Sequence, residues 1–282
     1  KSILKNSNIS LDFPKEVLDY TNKISKTISE NEIAKRRDLR EELTFTIDPE
    51  DAKDFDDAIS YRQVEKNTYE VGIHIADVSH YVENKSVLDS EAYKRGTSIY
   101  LVDRVIPMLP EILSNMVCSL RPNEEKFTFS SIFKINSKGE IIEEWYGKTV
   151  IKSNKRFSYA EAQEIIDKKK GKISKENSLT NKAYEVEKDM VEAIINLNEI
   201  AQQRRKEREK QGSINFNKKE IKFKLDNKQN PIEVLFKESK EANKLVEEFM
   251  LLANQKVAEL FKKLKKSPSV YRVHDLPDNE KL

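Results

Sequence analysis

Thr46-Ile-Asp-Pro-Glu-Asp-Ala-Lys-Asp-Phe-Asp-Asp-Ala58 places six carboxylates, Asp48, Glu50, Asp51, Asp54, Asp56 and Asp57, within ten residues. Leu43 to Ile47 alternates like a strand, and Pro49 ends it directly after Asp48. Phe55 to Arg62 and Tyr69 to Ile75 have the composition of two further strands, joined by the polar Gln63 to Thr68. The acidic run is therefore expected on a strand–loop–strand platform. In an extended segment Asp54 and Asp56 share a face and Asp57 opposes them, so their convergence requires a loop or bulge. Crowded carboxylates that leave water must protonate or acquire a cation, and hard ions such as Mg²⁺ or Mn²⁺ suit all-oxygen ligands. A Ca²⁺-binding loop is a weak alternative, because the required central glycine and the closing glutamate at fixed spacing are missing. A solvated acidic loop is the competing reading, because charge runs are ordinarily surface.

Around this run the chain is polar. Charged residues make up 35% and apolar residues 37% of 282, enough apolar sequence for a sizeable core. The net charge of +2 conceals a segregation. Acid is concentrated at Asp48 to Asp57, whereas basic residues cluster at Lys152 to Arg156, Lys168 to Lys172, Arg204 to Lys210 and Lys262 to Lys266. A metal centre facing a polyanion needs such a distribution, although lysine-rich helix ends also serve solubility. Cys118 is the single cysteine, which excludes an internal disulfide framework and points to a reducing compartment. With neither a signal-peptide pattern nor an apolar run approaching a membrane span, a soluble cytoplasmic monomer is expected, with no membrane partner.

The first half is otherwise strand-rich. A helix is expected near Pro14 to Ile28, another from Ser86 to Gly96, and a short amphipathic one from Glu111 to Leu120. Phe127 to Ile135 and Ile141 to Ile151 form a hairpin pattern around Ser137 to Glu140. His74, Asp77 and His80 invite a zinc reading, but their spacing lacks a third nitrogen or sulfur ligand, so structural histidines at a strand end are the simpler account. The second half is mainly helical. Ser158 and Glu161 make a capping box opening Tyr159 to Lys169. Apolar spacings of three and four predict helices over 180–210 and 242–265, with paired strands at Ser213 to Phe216 and Glu220 to Leu225 between them. The basic tail Arg204 to Lys210 is either a solvated helix end or part of a nucleic-acid path. Glu247 and Glu248 occupy consecutive helical positions, so only one can face a given neighbour.

Ile47 to Ala58 strongly resembles the signature of the ribonuclease II and ribonuclease R family, hydrolytic 3′-to-5′ exoribonucleases with an RNB catalytic domain. Further segments resemble the family in the family's order: His74 to Val82, Tyr93 to Tyr100, Ile106 to Ser114, Cys118 to Pro122, Glu241 to Met250 and Tyr271 to Asp275. The ribonuclease R branch is the better match. The resemblance implies an α+β RNB-type fold, in which a mainly antiparallel sheet platform from the first half is packed by amphipathic helices from the second. Residues 1–40 are expected to lead into a catalytic domain spanning 41–282.

The resemblance also implies roles. Asp48, Asp54, Asp56 and Asp57 would hold the catalytic Mg²⁺ or Mn²⁺, with Asp56 the catalytic position most sensitive to loss. Tyr100 and Phe216 match aromatics that bracket the terminal bases of RNA, Tyr159 matches an active-site tyrosine, and Glu247 matches a glutamate contacting the 3′-terminal ribose. Asn215 and Asn217 flank Phe216 where the family often has an acidic residue. The implied activity is metal-dependent hydrolysis of single-stranded or structured RNA from its 3′ end, releasing nucleoside 5′-monophosphates. Family members carry cold-shock-type domains before this region, a further RNA-binding domain after it, and a catalytically important arginine in a Ser-Pro-Ile-Arg-Arg-type motif beyond the last residue present. This chain alone is accordingly expected to be a catalytic domain incomplete at its C-terminal side and weak or inactive in hydrolysis. An RNA-binding module without turnover is the alternative, and a DNA phosphodiesterase differs from both by its sugar.

Overall fold

The computed structural model describes residues 10–25, 27–102, 104–213, 220–226, 230–264, 270, 271 and 273. Its centre is a seven-stranded sheet. The strands are β1 (Arg37–Leu39), β2 (Thr44–Asp48), β3 (Asp57–Glu65), β4 (Thr68–Ala76), β7 (Glu125–Asn136), β8 (Ile141–Lys152) and β9 (Lys155–Ser158). They lie in the order β1-β8-β7-β4-β3-β2-β9, with β1 and β9 parallel to their neighbours and every other pairing antiparallel.

Both faces of this sheet are covered, which explains why β2 is buried at all five positions rather than alternating. Second-half helices cover one face. Phe45, Ile59, Ile73 and Phe133 pack there against α4 (Tyr159–Lys168), α5 (Lys188–Lys210) and α6 (Glu241–Lys263), chiefly through Ile165, Ile194, Leu197 and Phe249. First-half elements cover the other face. Val17 of α1 (Lys15–Asn22) and Leu88 of α3 (Val87–Arg95) join Ala58, Ile132 and Ile151 in that core. The lead-in segment is thus part of the packing. At the sheet's end, Ile33 of the short α2 (Glu30–Ile33) closes over Phe127 and Val150, above a buried ion pair from Arg36 Nη1 to Asp77 Oδ2 at 2.8 Å.

Local signals set several boundaries. Ser158 Oγ accepts from Glu161 N at 3.1 Å, and Glu161 Oε2 accepts from Ser158 N at 2.9 Å, so the capping box is complete. Gly96 ends α3 at φ 72°, a left-handed position that glycine adopts without a Cβ clash. The structure differs from expectation in two places. Glu111 to Leu120 gives a π-helical turn, Leu113–Val117, with Leu113 and Val117 buried. α5 starts at Lys188 rather than near 180, since Glu161 Oε1 accepts from Tyr184 Oη at 2.9 Å and from Leu179 N at 3.0 Å, holding the preceding chain non-helical. In that segment β11 (Tyr184–Glu185) pairs with β10 (Lys172–Ile173). β12 (Glu220–Leu225) pairs with β13 (Pro231–Lys237), and the strand expected at Ser213 to Phe216 falls on 214–216, which lie outside the described residues.

The basic tail of α5 is engaged within the protein. Arg205 Nη2 pairs with Glu241 Oε2 at 2.9 Å, and Arg208 with the buried Glu248, fastening α5 to α6. Among the described residues no helix is long and apolar enough to cross a membrane.

His74 is a structural histidine, fully buried within β4. Its Nε2 lies 2.9 Å from Ser60 Oγ and its Nδ1 2.7 Å from Ser130 Oγ, and Ser130 continues to Thr149 at 2.5 Å. Room for the ring comes from Gly72, where a Cβ would stand 2.6 Å from His74 Nε2. Burial pushes the His74 pKa from 6.5 down to about 3, so the folded state holds the ring neutral. A folded-state pKa below the unfolded one gives stability that is present above pH 6.5 and is lost as the pH falls toward 3. Urea unfolding at stepped pH should show His74 contributing a loss of about 1.4 kcal/mol per pH unit in that window, a slope absent from His74→Asn. An unchanged slope in the variant would refute this.

Candidate functional site

β2 ends and β3 begins at the acidic run, so the sheet itself delivers Asp48 and Asp57 to one edge and leaves 49–56 as the required loop. Backbone and side-chain anchors hold that loop. Phe55 is buried in the core beneath it. Its N–H donates to Ser119 Oγ at 3.0 Å, its carbonyl accepts from Leu120 N at 2.8 Å, and the Asp56 carbonyl accepts from Ala76 N at 3.0 Å. From β9, Arg156 Nη2 donates to the carbonyls of Pro49 and Glu50 at 2.8 and 2.9 Å, with its guanidinium 4.7 Å from the centre of the Phe55 ring. Ser119 lies in a segment the sequence singled out, but Arg156 was visible only as one member of a basic cluster.

The run is partly solvated, with Asp56 exposed and Asp54 and Asp57 half-buried, but its first carboxylate is not. Asp48 is 7% exposed, and its Oδ2 is buried without a hydrogen-bond partner. Burial, with the charges of Asp57 and Asp54 adding to it, pushes the Asp48 pKa up to about 7. Burial and neighbouring Asp56 raise Asp57 to about 6, and burial and Asp54 raise Asp56. The donor chemistry fits a hard divalent cation: the groups are all oxygen, one buried oxygen is unpartnered, and the mutual repulsion is of the kind a cation relieves. Among the described residues, however, no three His, Cys, Asp or Glu side chains are gathered as a metal-holding group, so the cage is not closed.

Two tyrosines flank the cluster. Tyr100 stands 70% exposed on the hairpin of β5 (Ile99–Tyr100) and β6 (Val105–Ile106), and its hydroxyl pKa is raised by burial and then by Asp54 and Asp56. Tyr159, at the start of α4, is pushed up to about 12 by burial and then by Asp57 and Asp48. Glu247 is exposed on α6, while Glu248 beside it is the buried partner of Arg208. Phe216 lies outside the described residues. The zinc reading finds no support in the geometry: both nitrogens of His74 are hydrogen-bonded, and Asp77 is paired with Arg36.

A mainly antiparallel α+β platform whose strands end in a partly buried carboxylate loop belongs to the class of the RNB domain, and residues 36–282 match that domain. The chain is a member of the RNB family, which includes ribonucleases II and R. DIS3-like exonuclease 2 of Schizosaccharomyces pombe is 44% identical over 283 residues, covering 99% of this chain and 30% of that protein. Ribonuclease R 1 of Lactococcus lactis is 41% identical over 280 residues, covering 99% and 33%. RNase R of Mycoplasma genitalium, in complex with ribose methylated single-stranded RNA, superposes with a TM-score of 0.83 at 28% identity, covering 94% of this chain and 39% of that one. The same enzyme in complex with double-stranded RNA superposes equally well. The chain thus spans roughly a third of the length of the curated relatives it matches.

Arg156→Ala removes two charge-assisted bonds to the loop backbone and should lower stability by about 1–3 kcal/mol in urea titrations, with faster amide exchange at residues 50–56. Arg156→Lys, which keeps a charged donor but loses the planar guanidinium over the Phe55 ring, should recover only part of this. Exchange at the loop that stays at the wild-type rate in Arg156→Ala would show that the guanidinium does not hold it.

Proposed function

We propose that this chain carries the carboxylate side of a metal-dependent exoribonuclease site that hydrolyses RNA from its 3′ end and releases nucleoside 5′-monophosphates. The observation that supports it most directly is the buried Asp48 oxygen left unpartnered where β2 ends, with the charge of Asp57 acting on Asp48 and that of Asp56 on Asp57. RNA in complexes of a related enzyme points to the same substrate class. Residues 41–282 would form the catalytic domain and residues 1–40 its lead-in.

Asp48, Asp54, Asp56 and Asp57 would hold Mg²⁺, or Mn²⁺ in its place. The bound ion would supply Lewis acidity to the phosphodiester. The exposed ring of Tyr100 offers a base a stacking surface that no sequence preference restricts. Tyr159, set against Asp57 and Asp48, stays protonated at neutral pH and can donate a hydrogen bond toward a phosphate oxygen. Phe216 would supply the second stacking aromatic and Glu247 a contact to the terminal ribose, where the 2′-hydroxyl distinguishes RNA from DNA.

A second reading, RNA binding without turnover, is favoured by one observation: the carboxylates are not gathered into a three-ligand group. Turnover separates the two. In the full-length protein with Mg²⁺, Asp56→Asn should cut mononucleotide release at least about 100-fold, the upper end of what loss of even an outer metal-supporting group costs. RNA affinity should stay close to that of the unsubstituted protein, because stacking is untouched. Chelation by EDTA should abolish release reversibly, and a matched deoxyribose oligonucleotide should resist. Tight RNA binding with no metal-dependent product from the unsubstituted protein would establish the second reading instead.

A further inference from the structure

Tyr100 stands on a hairpin that is separate from the central sheet. Its strands, β5 and β6, are two residues long each and pair Ile99 with Ile106 and Tyr100 with Val105. A two-stranded ribbon this short does not keep its shape in water, so contacts outside it must fix its direction. Apolar packing supplies only part of that hold. Ile106 is buried, but Tyr100, Leu101 and Val105 are exposed. A cavity of about 530 Å³ is lined both by Phe13 and Pro14 and by Ile99, Ile106 and Pro107 at the base of the hairpin.

Arg95, the last residue of α3, reaches across that gap. Its Nη1 donates to the carbonyl of Pro107, directly after β6, at 3.3 Å and to that of Ser10 at 3.4 Å. Its Nη2 donates to the Asp12 carbonyl at 2.8 Å and its Nε to Glu91 Oε1 at 2.8 Å. The guanidinium lies 3.7 Å from the centre of the Phe13 ring, and Phe13 is itself packed on the first-half core. The side chains of Arg95 and Glu91 are each only 9% exposed, so this ion pair is largely desolvated. Serving an acid, an aromatic face and three carbonyls at once requires the flat, five-donor guanidinium. Ser98 Oγ, which accepts from Met108 N at 2.9 Å, closes the same end of the hairpin. The first strand thus follows from α3 through Gly96, and the second is tied back to α3 and to residues 10–13 by Arg95. What the hairpin carries is the Tyr100 ring, near enough to Asp54 and Asp56 for their charges to act on its hydroxyl.

We propose that Arg95 is a positioning residue for RNA binding: by fastening the second strand of the hairpin to α3 and to residues 10–13, it holds the Tyr100 ring where a base stacks. The inference rests on the reading of Tyr100 as a stacking surface. Residues 10–13 thereby gain a part in substrate binding although none of the aspartates lies among them, and Phe13 supports the guanidinium that does the holding. Because Arg95 acts on RNA only through the ring, its effect vanishes when the ring is removed.

The test is a double-mutant cycle in full-length protein carrying Asp56→Asn, read as affinity for a single-stranded oligoribonucleotide. Arg95→Ala would strand the buried Glu91, so the variants are Arg95→Lys, which keeps a cation beside it, and Phe13→Ala, which keeps every hydrogen bond of the guanidinium. Tyr100→Ala should weaken binding roughly 5- to 100-fold, as the loss of one base–aromatic contact does. Arg95→Lys should weaken it at least about 5-fold when Tyr100 is present but change it less than about 2-fold in the Tyr100→Ala background, with Phe13→Ala following in the same direction. Amide exchange at Ile99 to Leu101 and at Val105 and Ile106 should quicken in both variants. Equal losses in the two backgrounds would mean a general effect on the fold and would overturn the proposal, as would no loss in either. Unchanged affinity in Tyr100→Ala would instead remove the stacking reading. Faster exchange in Arg95→Lys would then still show the guanidinium holding the hairpin, and exchange at the wild-type rate would overturn that as well.

Discussion

Repulsion among the aspartates is the constraint around which the molecule is arranged. Asp48, Asp54, Asp56 and Asp57 sit where two strands of a doubly covered sheet run out, and burial has taken hydration from Asp48 above all. Left to itself such a loop would swing its carboxylates into water and away from one another. The backbone prevents it. Phe55 is held in the core, the chain on either side is committed to β2 and β3, and Ser119, Leu120, Ala76 and Arg156 hold the peptide groups between. The anchors grip main chain rather than carboxylate oxygen, so the acidic groups remain available to a cation.

That arrangement explains the division of the chain. A sheet open on one face would leave its edge free to relax toward solvent, whereas this sheet is clamped by α1 and α3 on one side and by α4, α5 and α6 on the other. The pairs Arg205 with Glu241 and Arg208 with Glu248 lock α5 to α6 from outside the apolar seam. They also account for a basic cluster that could have been mistaken for a polyanion path. Exposed ion pairs contribute little, but Glu248 is almost wholly buried and would be costly without Arg208.

Much of this was legible in the residues because the signals were local. Strand alternation around Thr44 to Asp48, the Ser158 and Glu161 capping box, and glycine after α3 each specify geometry within a few positions. The misread segments depend on distant partners. Apolar spacing before Lys188 is compatible with a helix until Glu161, more than 15 residues upstream, draws Tyr184 and Leu179 to itself. At the site, clustered aspartates were conspicuous, but nothing in the string distinguishes Arg156 from its basic neighbours. The reach of Arg95 was equally hidden, since its carbonyl acceptors lie in two segments far apart in the chain.

Gly72, Ser60 and His74 also limit how this sheet can change over generations. A methyl group at position 72 would collide with the imidazole and with the serine hydroxyl, so any side chain there is barred while His74 remains. Loss of His74 alone would leave Ser60 and Ser130 buried without their shared partner. The three positions are therefore epistatic. A lineage can leave this packing only by changes that arrive together, or through an intermediate that tolerates a weakened strand, and the glycine at 72 records which of the two alternatives this protein occupies.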